Sequence, residues 1–287
     1  MSLVIKEKRN SLNWEVVMEP SKTILVTGAS SGIGLEMARI LATRSHRLIL
    51  VSRSKDKLEV VANELRQHTS TEVITYAVDL SEPESAELLF SFCEAKQLQI
   101  DILINNAGFG IFDEHVAMDQ KKLTQMLQLN VIAVAALCQI FGSQMKRRRS
   151  GAILNVASTA AYQATPYFAA YGASKTFVLC FSEALAKELE DFDVQVSCLA
   201  PGPTDTAFFD AMDPKQIADG HMLQKGGRTD ARTVAKEGVD LLDHGGMTRV
   251  VGFANRLAVL GNRFLPRSIV ASVSKRLLKP MDKNSAQ

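Results

Sequence analysis

The sequence has few cysteines, and none of them forms the pairs that disulfide frameworks or metal sites use. Its 287 residues include four cysteines, at positions 93, 138, 180 and 198, which are widely spaced and form no CxxC motif. A disulfide framework or a zinc site is therefore not expected, and we expect no bound metal. Unpaired cysteines are typical of a reducing compartment, which predicts a cytoplasmic location.

The chain also lacks an excess of charge of one sign and a long apolar run. Its 33 lysine and arginine residues face 31 aspartate and glutamate residues, for a formal net charge of +2. Nucleic-acid-binding domains usually carry a basic excess, so no nucleic-acid partner is expected. The charged stretch from Lys6 to Arg9 differs from a signal peptide, and no uninterrupted apolar run has the length of a membrane span.

Short apolar runs alternate with helical patterns along most of the chain, of which 46% is hydrophobic. This alternation is typical of parallel βαβ units with right-handed crossovers. Strands are predicted at 23–27, 47–52, 72–78, 100–105, 152–157, 194–200 and 248–253, and helices at 33–43, 54–68, 83–96, 118–148, 171–192 and 230–243. The predicted fold is α/β and doubly wound, with a seven-stranded, mostly parallel sheet and helices on both faces.

A glycine-rich loop follows the first predicted strand, where residues 27–34 read TGASSGIG before a helical pattern. Glycines there let the backbone turn sharply and approach a pyrophosphate at the positive end of the helix. One or two glycines could serve the turn alone, but three glycines with two serines favour dinucleotide binding. The predicted contacts are Gly28, Ser30, Ser31, Gly32, Ile33 and Gly34.

This loop resembles the cofactor loop of the short-chain dehydrogenase/reductase family, and further motifs follow in the order and spacing of that family. They are Asn105-Asn106-Ala107-Gly108, Asn130, Ser158, Tyr171-Gly172-Ala173-Ser174-Lys175 and Pro201-Gly202-Pro203-Thr204-Asp205-Thr206. The resemblance extends from about residue 22 to about residue 206. It implies a Rossmann-type fold and hydride transfer between a nicotinamide cofactor and a carbonyl or secondary alcohol.

The end of the second predicted strand indicates which nicotinamide cofactor binds. A carboxylate there, about 20 residues past the glycine loop, would select NAD. The chain has Arg53 instead, with Ser54 and Lys57 close by, and a guanidinium suits a 2′-phosphate. NADP(H) is therefore predicted; the alternative is that these cations are only solvated. Asp79, which precedes Leu80, either contacts the adenine, as the resemblance implies, or caps the next helix.

Motif residues after the fourth and sixth predicted strands complete the expected cofactor contacts. Small residues after the fourth strand would let the adenine pass close to the backbone, while the asparagine there also ties neighbouring strands together. The motif after the sixth strand would face the nicotinamide carboxamide and the pyrophosphate. These contacts are Asn106, Ala107, Gly108, Pro201, Gly202, Thr204 and Thr206.

Hydride transfer to a carbonyl needs a proton donor for the oxygen, and Tyr171 is the candidate. Lys175 lies one helical turn further on the same face, and its charge together with the positive nicotinamide ring is expected to lower the pKa of Tyr171. By resemblance, Lys175 also holds the nicotinamide ribose, Ser158 orients the substrate oxygen, and Asn130 holds a water for proton relay. Each residue alone has a plainer reading, such as an exposed Tyr–Lys pair or a capping serine. Together they form the predicted catalytic set.

The chain divides into an N-terminal arm (1–20), a catalytic dinucleotide-binding domain (21–253) and a C-terminal tail (254–287). Within the domain, the proline- and glycine-containing stretch 203–228 breaks the alternation and is predicted to be a substrate lid. Apolar residues populate the lid and the nearby loops: Phe109, Ile111, Phe112, Ala160, Tyr162, Pro166, Phe168, Phe208, Phe209, Met212, Met222 and Leu223. They either line a site for a lipophilic substrate or only pack the lid against the body.

Basic and apolar residues interleave in the tail, which holds seven basic residues and one acidic residue. Pro266 is predicted to separate two short helices. Such a tail either binds weakly to an anionic membrane surface or packs over its own domain or a partner subunit, and the sequence leaves both readings open.

Three functions are compatible with these motifs. An NADP(H)-dependent carbonyl reductase or alcohol dehydrogenase is favoured, and a ketoacyl-type reductase of lipid synthesis is the second possibility. A non-catalytic NADP(H)-binding sensor is the third, and the intact pair of Tyr171 and Lys175 argues against it. The resemblance also implies a homodimer or homotetramer that pairs through the helices around Asn130 and Tyr171.

Overall fold

A computed structural model describes residues 3–4, 17–18, 22–44, 47–210 and 228–279. Its centre is a sheet of seven strands: β1 (Thr23–Thr27), β2 (Arg47–Ser52), β3 (Val73–Ala77), β4 (Ile102–Asn105), β5 (Gly151–Val156), β6 (Val194–Ala200) and β7 (Thr248–Val250). Their order across the sheet is β3-β2-β1-β4-β5-β6-β7, and every neighbouring pair is parallel. The predicted doubly wound Rossmann-type fold is confirmed.

Helices connect the strands and follow the last one. They are α1 (Gly32–Ala42), α2 (Lys55–His68), α3 (Ser85–Ala95), α4 (Gln120–Leu127), α5 (Val134–Arg148), α6 (Ala169–Leu189), α7 (Ala231–His244), α8 (Phe253–Asn262) and α9 (Arg267–Leu278). A four-residue helix, Ala207–Asp210, follows β6.

The sheet has an apolar core on each face because alternate strand residues point in opposite directions. Ile24 and Val26 of β1 pack with α1, α2 and α7 on one face. Leu25 packs with α3, α5 and α6 on the other face. Since all the strands are parallel, their carboxyl ends and the loops that follow meet at one edge, which is where such folds bind ligands.

The predicted strands agree with the observed ones within a few residues, and the last strand differs most. It was expected at 248–253 but ends at Val250, because Gly252 has a φ of +87° and begins the turn into α8. The prediction of two short tail helices separated at Pro266 is confirmed by α8 and α9.

The helix predicted at 118–148 is observed as one helical stretch over Gln120–Arg148, but its phase changes within it. A π-helical segment, Gln128–Ala133, separates α4 from α5. Asn130 lies in this segment and is fully buried. Because π-helical turns change the phase of a helix, the segment sets which residues of α4 and α5 face the sheet.

The same region passes the length and composition test for a membrane span. Gln120–Arg148 contains a window with a mean hydropathy of 1.6. However, Leu137, Phe141 and Met145 of α5 are at most 1% exposed and belong to the core between α3, α6 and the sheet. These contacts are those of a core helix.

Two regions that the sequence singled out are described only in part. In the N-terminal arm, Leu3–Val4 pairs antiparallel with Val17–Met18. Of the predicted lid, residues 203–210 and 228 are described, and the rest, with Met212, Met222 and Leu223, lies outside the described residues.

Candidate active site

A cavity of about 470 Å³ lies at the carboxyl edge of the sheet. The loops after strands β1 to β6 form its wall, together with α6, Leu129 of the π-helical segment and Leu278 of α9. Nearly all the predicted cofactor and catalytic residues line it; the exceptions are Gly34 and Asn130. The topology therefore brings together motifs that are far apart in the sequence.

The glycine loop leads into an uncapped helix start. Gly28 and Gly32 have φ values of +67° and +57°, which glycine adopts without strain. Ser31, the N-cap of α1, is extended and makes no side-chain cap hydrogen bond, and the first turn has no acidic residue. The first N–H groups of α1 therefore remain available to an anion at the positive end of the helix.

Asn106 joins the loops after β1 and β4. Its side-chain amide donates to the carbonyl oxygens of Thr27 and Gly28, at 2.9 and 3.3 Å. A Cβ atom at Gly34 would collide with this amide group. Gly34 is thus needed for close packing under the loop and does not line the cavity, whereas Asn106 both lines the cavity and fixes the loop.

The end of β2 presents an exposed cation. The side chain of Arg53 is 70% exposed, and its Nη1 atom lies 3.8 Å from Oδ2 of Asp79. Ser54 is the N-cap of α2, where its hydroxyl accepts from the backbone N–H of Lys57 at 3.4 Å. Ser52, which we did not single out from the sequence, lines the cavity with a buried hydroxyl that has no hydrogen-bond partner among the described residues.

Asp79 does not cap the next helix, as its alternative reading expected, because the N-cap of α3 is Glu84 and no side chain caps it; Asp79 instead holds the turn after β3. Its Oδ1 atom accepts from the backbone N–H and the hydroxyl of Ser81, at 2.9 and 2.7 Å. It also lines the cavity beside Leu80, so a contact with a nucleotide remains a prediction.

The loop after β6 is held by short-range hydrogen bonds. The hydroxyl of Thr204 donates to the Gly202 carbonyl at 2.9 Å, and the Thr159 N–H donates to the Pro201 carbonyl at 2.8 Å. A Cβ atom at Gly32 would lie 3.0 Å from the methyl group of Thr206. This loop therefore closes over the glycine loop.

Tyr171 and Ser158 meet at the inner part of the cavity. Burial raises the pKa of Tyr171 to about 12, and an interaction with the Ser158 hydroxyl opposes the rise. The Ser158 oxygen accepts from the Ala160 N–H at 3.1 Å, which leaves its own O–H free to donate. In the protein alone, desolvation of the phenolate outweighs the favourable contacts, and the lowering expected with the positive nicotinamide ring bound stays a prediction.

Lys175 lies behind Tyr171 on α6. Its Nζ atom donates to the Val156 carbonyl at 2.9 Å and lies 5.9 Å from the centre of the Tyr171 ring. Burial lowers the pKa of Lys175 to about 8. Both side chains of the pair are therefore disfavoured in their charged forms.

Asn130 does not line the cavity; its side chain forms hydrogen bonds with the backbone of Phe109. Its side chain accepts from the Phe109 N–H at 3.2 Å and donates to the Phe109 carbonyl at 2.9 Å. It also donates to the Ser174 hydroxyl at 3.1 Å, and that hydroxyl donates to the Tyr171 carbonyl at 2.7 Å. Asn130 thus positions the backbone of Phe109 and, through Ser174, that of Tyr171. The sequence did not single out Ser174 for this role, although it lies inside the Tyr–Lys motif.

The apolar part of the cavity differs from the predicted set. Phe109, Ala160, Phe168 and Phe208 line it, whereas Ile111, Phe112, Tyr162 and Pro166 do not. Leu278 of α9, which sequence reasoning missed, lines it and packs with Phe112 and Phe168. Among the described residues, no group of three or more histidine, cysteine or acidic side chains could hold a metal ion.

A parallel α/β sheet with an uncapped helix start and a Tyr–Lys pair in one cavity defines a dinucleotide-binding fold of dehydrogenase type. The model of the short chain dehydrogenase family matches residues 22–217. The chain belongs to this family.

Two curated relatives and one solved structure illustrate the similarity. An uncharacterised oxidoreductase of Staphylococcus saprophyticus is 31% identical over 206 residues, which cover 69% of this chain and 88% of that protein. A very-long-chain 3-oxoacyl-CoA reductase of Pyrenophora tritici-repentis is 30% identical over 260 residues, covering 85% and 76%. A short-chain dehydrogenase of Sphingobium yanoikuyae in complex with NADPH is 26% identical, with a TM-score of 0.74 and coverage of 85% and 93%.

Proposed function

We propose that this protein is an NADP(H)-dependent oxidoreductase that moves hydride between nicotinamide and a carbonyl or secondary alcohol, with Tyr171 as the general acid and base. One observation carries the proposal. The phenol of Tyr171, with Ser158 and Lys175 beside it, shares one cavity with the uncapped start of α1 and with Arg53. Membership of an oxidoreductase family supports it.

The residues present fit NADP(H). The first N–H groups of α1 suit the pyrophosphate, and the exposed Arg53 suits a 2′-phosphate. The unpaired hydroxyl of Ser52 offers a further partner on the ribose side. The NADPH complex of the similar Sphingobium enzyme supports the same choice. When bound, the cofactor supplies hydride in reduction and accepts it in oxidation.

The side chains of Ser158 and Tyr171 can hold and protonate a substrate oxygen. Because burial keeps the phenol of Tyr171 protonated far above neutral pH, it can donate its proton to an oxygen that becomes negative. The Ser158 O–H can donate a second hydrogen bond to that oxygen. Lys175, anchored on the end of β5, provides positive charge behind the phenol below about pH 8. In oxidation, Tyr171 takes the proton back.

Replacement of Tyr171 by phenylalanine is expected to lower kcat for carbonyl reduction by about 100-fold or more, because a general acid contributes that much. Binding of NADPH, measured by its fluorescence, should stay within about twofold of the wild type, since the aromatic ring remains. Tyr167→Phe is the matched control, because Tyr167 packs nearby but does not line the cavity. Full activity of the Tyr171 variant would contradict the proposed role.

Replacement of Arg53 by alanine is expected to raise KM for NADPH by about 10- to 100-fold, the value of a charge-assisted contact with phosphate. KM for NADH should change by less than about twofold, since NADH has no 2′-phosphate. Arg47→Ala at the other end of β2, where Arg47 pairs with Glu72, is the control. An equal effect on both cofactors would show that Arg53 does not select NADPH.

A lipophilic substrate is proposed from the apolar inner wall. The rings of Phe168 and Phe208 contact Tyr171, and Phe109 and Leu278 line the same cavity. A ketoacyl-type reductase is the second candidate, favoured by the 3-oxoacyl-CoA reductase among the relatives. The rest of the proposed lid lies outside the described residues.

A turnover screen with NADPH separates these substrate classes. Methyl ketones of increasing chain length should show rising kcat/KM, because each buried methylene adds favourable transfer energy. Faster turnover of a 3-oxoacyl thioester than of the ketone with the same chain would favour the second candidate. Preference for short polar carbonyls would contradict the lipophilic proposal.

Oligomeric state and location stay proposals. Pairing through the π-helical segment and α6 is supported by exposed apolar side chains at Ile132 and Phe177, which are 52% and 38% exposed. The cytoplasmic location rests on the cysteines, all of which are free thiols. A non-catalytic sensor would leave the buried Tyr171–Lys175 pair without a role.

A further inference from the structure

The outer surface of α8 and α9 concentrates exposed apolar side chains. Eight of the fifteen large apolar residues that are exposed in the described part of the chain lie within residues 253–277. They are Phe253, Leu257, Leu260, Phe264, Leu265, Ile269, Val273 and Leu277, with exposures from 45% to 80%. We call this set the tail surface. The other seven are scattered over the sequence from Val60 to Met247.

The exposed apolar residues of the tail surface form regular stripes that are separate from the buried stripe of α9. In α9, Val270, Ser274 and Leu278 are buried at four-residue spacing. The neighbouring stripe of Ile269, Val273 and Leu277 has the same spacing and is exposed to solvent. Helix α8 buries none of its residues fully, yet its apolar positions recur at helical spacing from Phe253 to Phe264. Each helix therefore has an apolar stripe that the described residues leave uncovered.

The charged residues in the segment that carries the tail surface are all basic. Residues 253–279 contain no aspartate or glutamate and six basic residues: Arg256, Arg263, Arg267, Lys275, Arg276 and Lys279. Arg256 lies 3.6 Å from Glu237. Among the described residues, no carboxylate lies within ion-pair distance of Arg263, Arg267, Lys275 or Arg276.

Both helices are attached at the wall of the cavity. The amide of Asn262 donates to Oε1 of Gln163 at 2.7 Å, and Gln163 lines the cavity. Leu278 lines it from α9 and packs on Phe168. Whatever covers the tail surface therefore lies next to the place where an apolar substrate would bind.

We propose that the tail surface binds an anionic phospholipid membrane peripherally, with the apolar stripes at the acyl boundary and the basic residues on the headgroups. Charge complementarity favours this occupant over a second copy of the chain, since two such surfaces would bring together Arg263, Arg267, Lys275 and Arg276 of each copy, and residues 253–279 contain no carboxylate to pair with them. The proposal concerns binding alone and does not rest on the proposed enzymatic function. It gives a lipophilic substrate a short path from the bilayer to the cavity.

Flotation of the full chain with lipid vesicles tests the proposal. Binding is expected to vesicles of phosphatidylglycerol, weak binding to vesicles of phosphatidylcholine, and a loss of binding as salt is raised. The double variant Arg263→Glu/Arg267→Glu should lower partition by roughly tenfold or more, since each cation near an anionic surface contributes about fivefold. Leu257→Asp/Phe264→Asp should lower it similarly through loss of apolar insertion.

Matched controls come from exposed residues elsewhere. Lys121→Glu/Lys122→Glu on α4 makes the same charge change, and Val116→Asp changes a valine that is 93% exposed. Both should bind vesicles like the wild type, and all variants should keep the circular dichroism spectrum and the melting temperature of the wild type. These readouts show that the variants fold.

Three outcomes would overturn the proposal. They are equal partition into the two kinds of vesicle, no binding to either, or wild-type binding by the tail-surface variants. A dimer that these variants dissociate, with no change in vesicle binding, would instead assign the surface to a second copy. Sedimentation velocity of the same samples gives that answer.

Discussion

The chemistry of this protein depends on the burial of two titratable side chains one helical turn apart on α6. Tyr171 is half-buried at the cavity wall and Lys175 is buried, and desolvation raises the pKa of the phenol to about 12 and lowers that of the ammonium to about 8. The opposite directions have one cause, since each shift disfavours the charged form. A phenol held protonated in this way is a proton donor over the whole neutral range, and only added positive charge or a bonded oxygen anion would release it.

Side-chain amides hold the parts of the fold around this pair. Asn106 ties the glycine loop to the end of β4, and Asn130 ties the π-helical segment to Phe109 and, through Ser174, to the backbone of Tyr171. Deeper in the sheet, Asn105 donates to Asn155 at 2.8 Å, and Asn155 donates to Ser182 at 2.9 Å. A buried amide that loses its hydrogen bond is costly in free energy. These linked amides therefore fix the spacing between strands β4 and β5 and helix α6.

Features set by short stretches of sequence could be predicted, and features set by packing could not. The strands, the glycine loop and the four-residue spacing of Tyr171 and Lys175 follow from local patterns, because period and turn chemistry are local. The raised pKa of Tyr171 in the protein alone could not be predicted, because it depends on how completely distant segments cover the ring. The π-helical segment at Asn130 and the arrival of Leu278 at the cavity likewise depend on tertiary contacts. The orphan hydroxyl of Ser52 gave no signal in sequence at all.

The ionisation of Tyr171 is the most direct test of this account. The difference in phenolate absorbance between the wild type and Tyr171→Phe, followed against pH, isolates this residue from the other three tyrosines. For the protein alone, Tyr171 should remain protonated at about pH 10, the ordinary pKa of a phenol. Addition of NADP⁺, with its positive ring, should lower the pKa, and NADPH should lower it much less. Half-ionisation at about pH 10 without cofactor, unchanged by NADP⁺, would contradict the account.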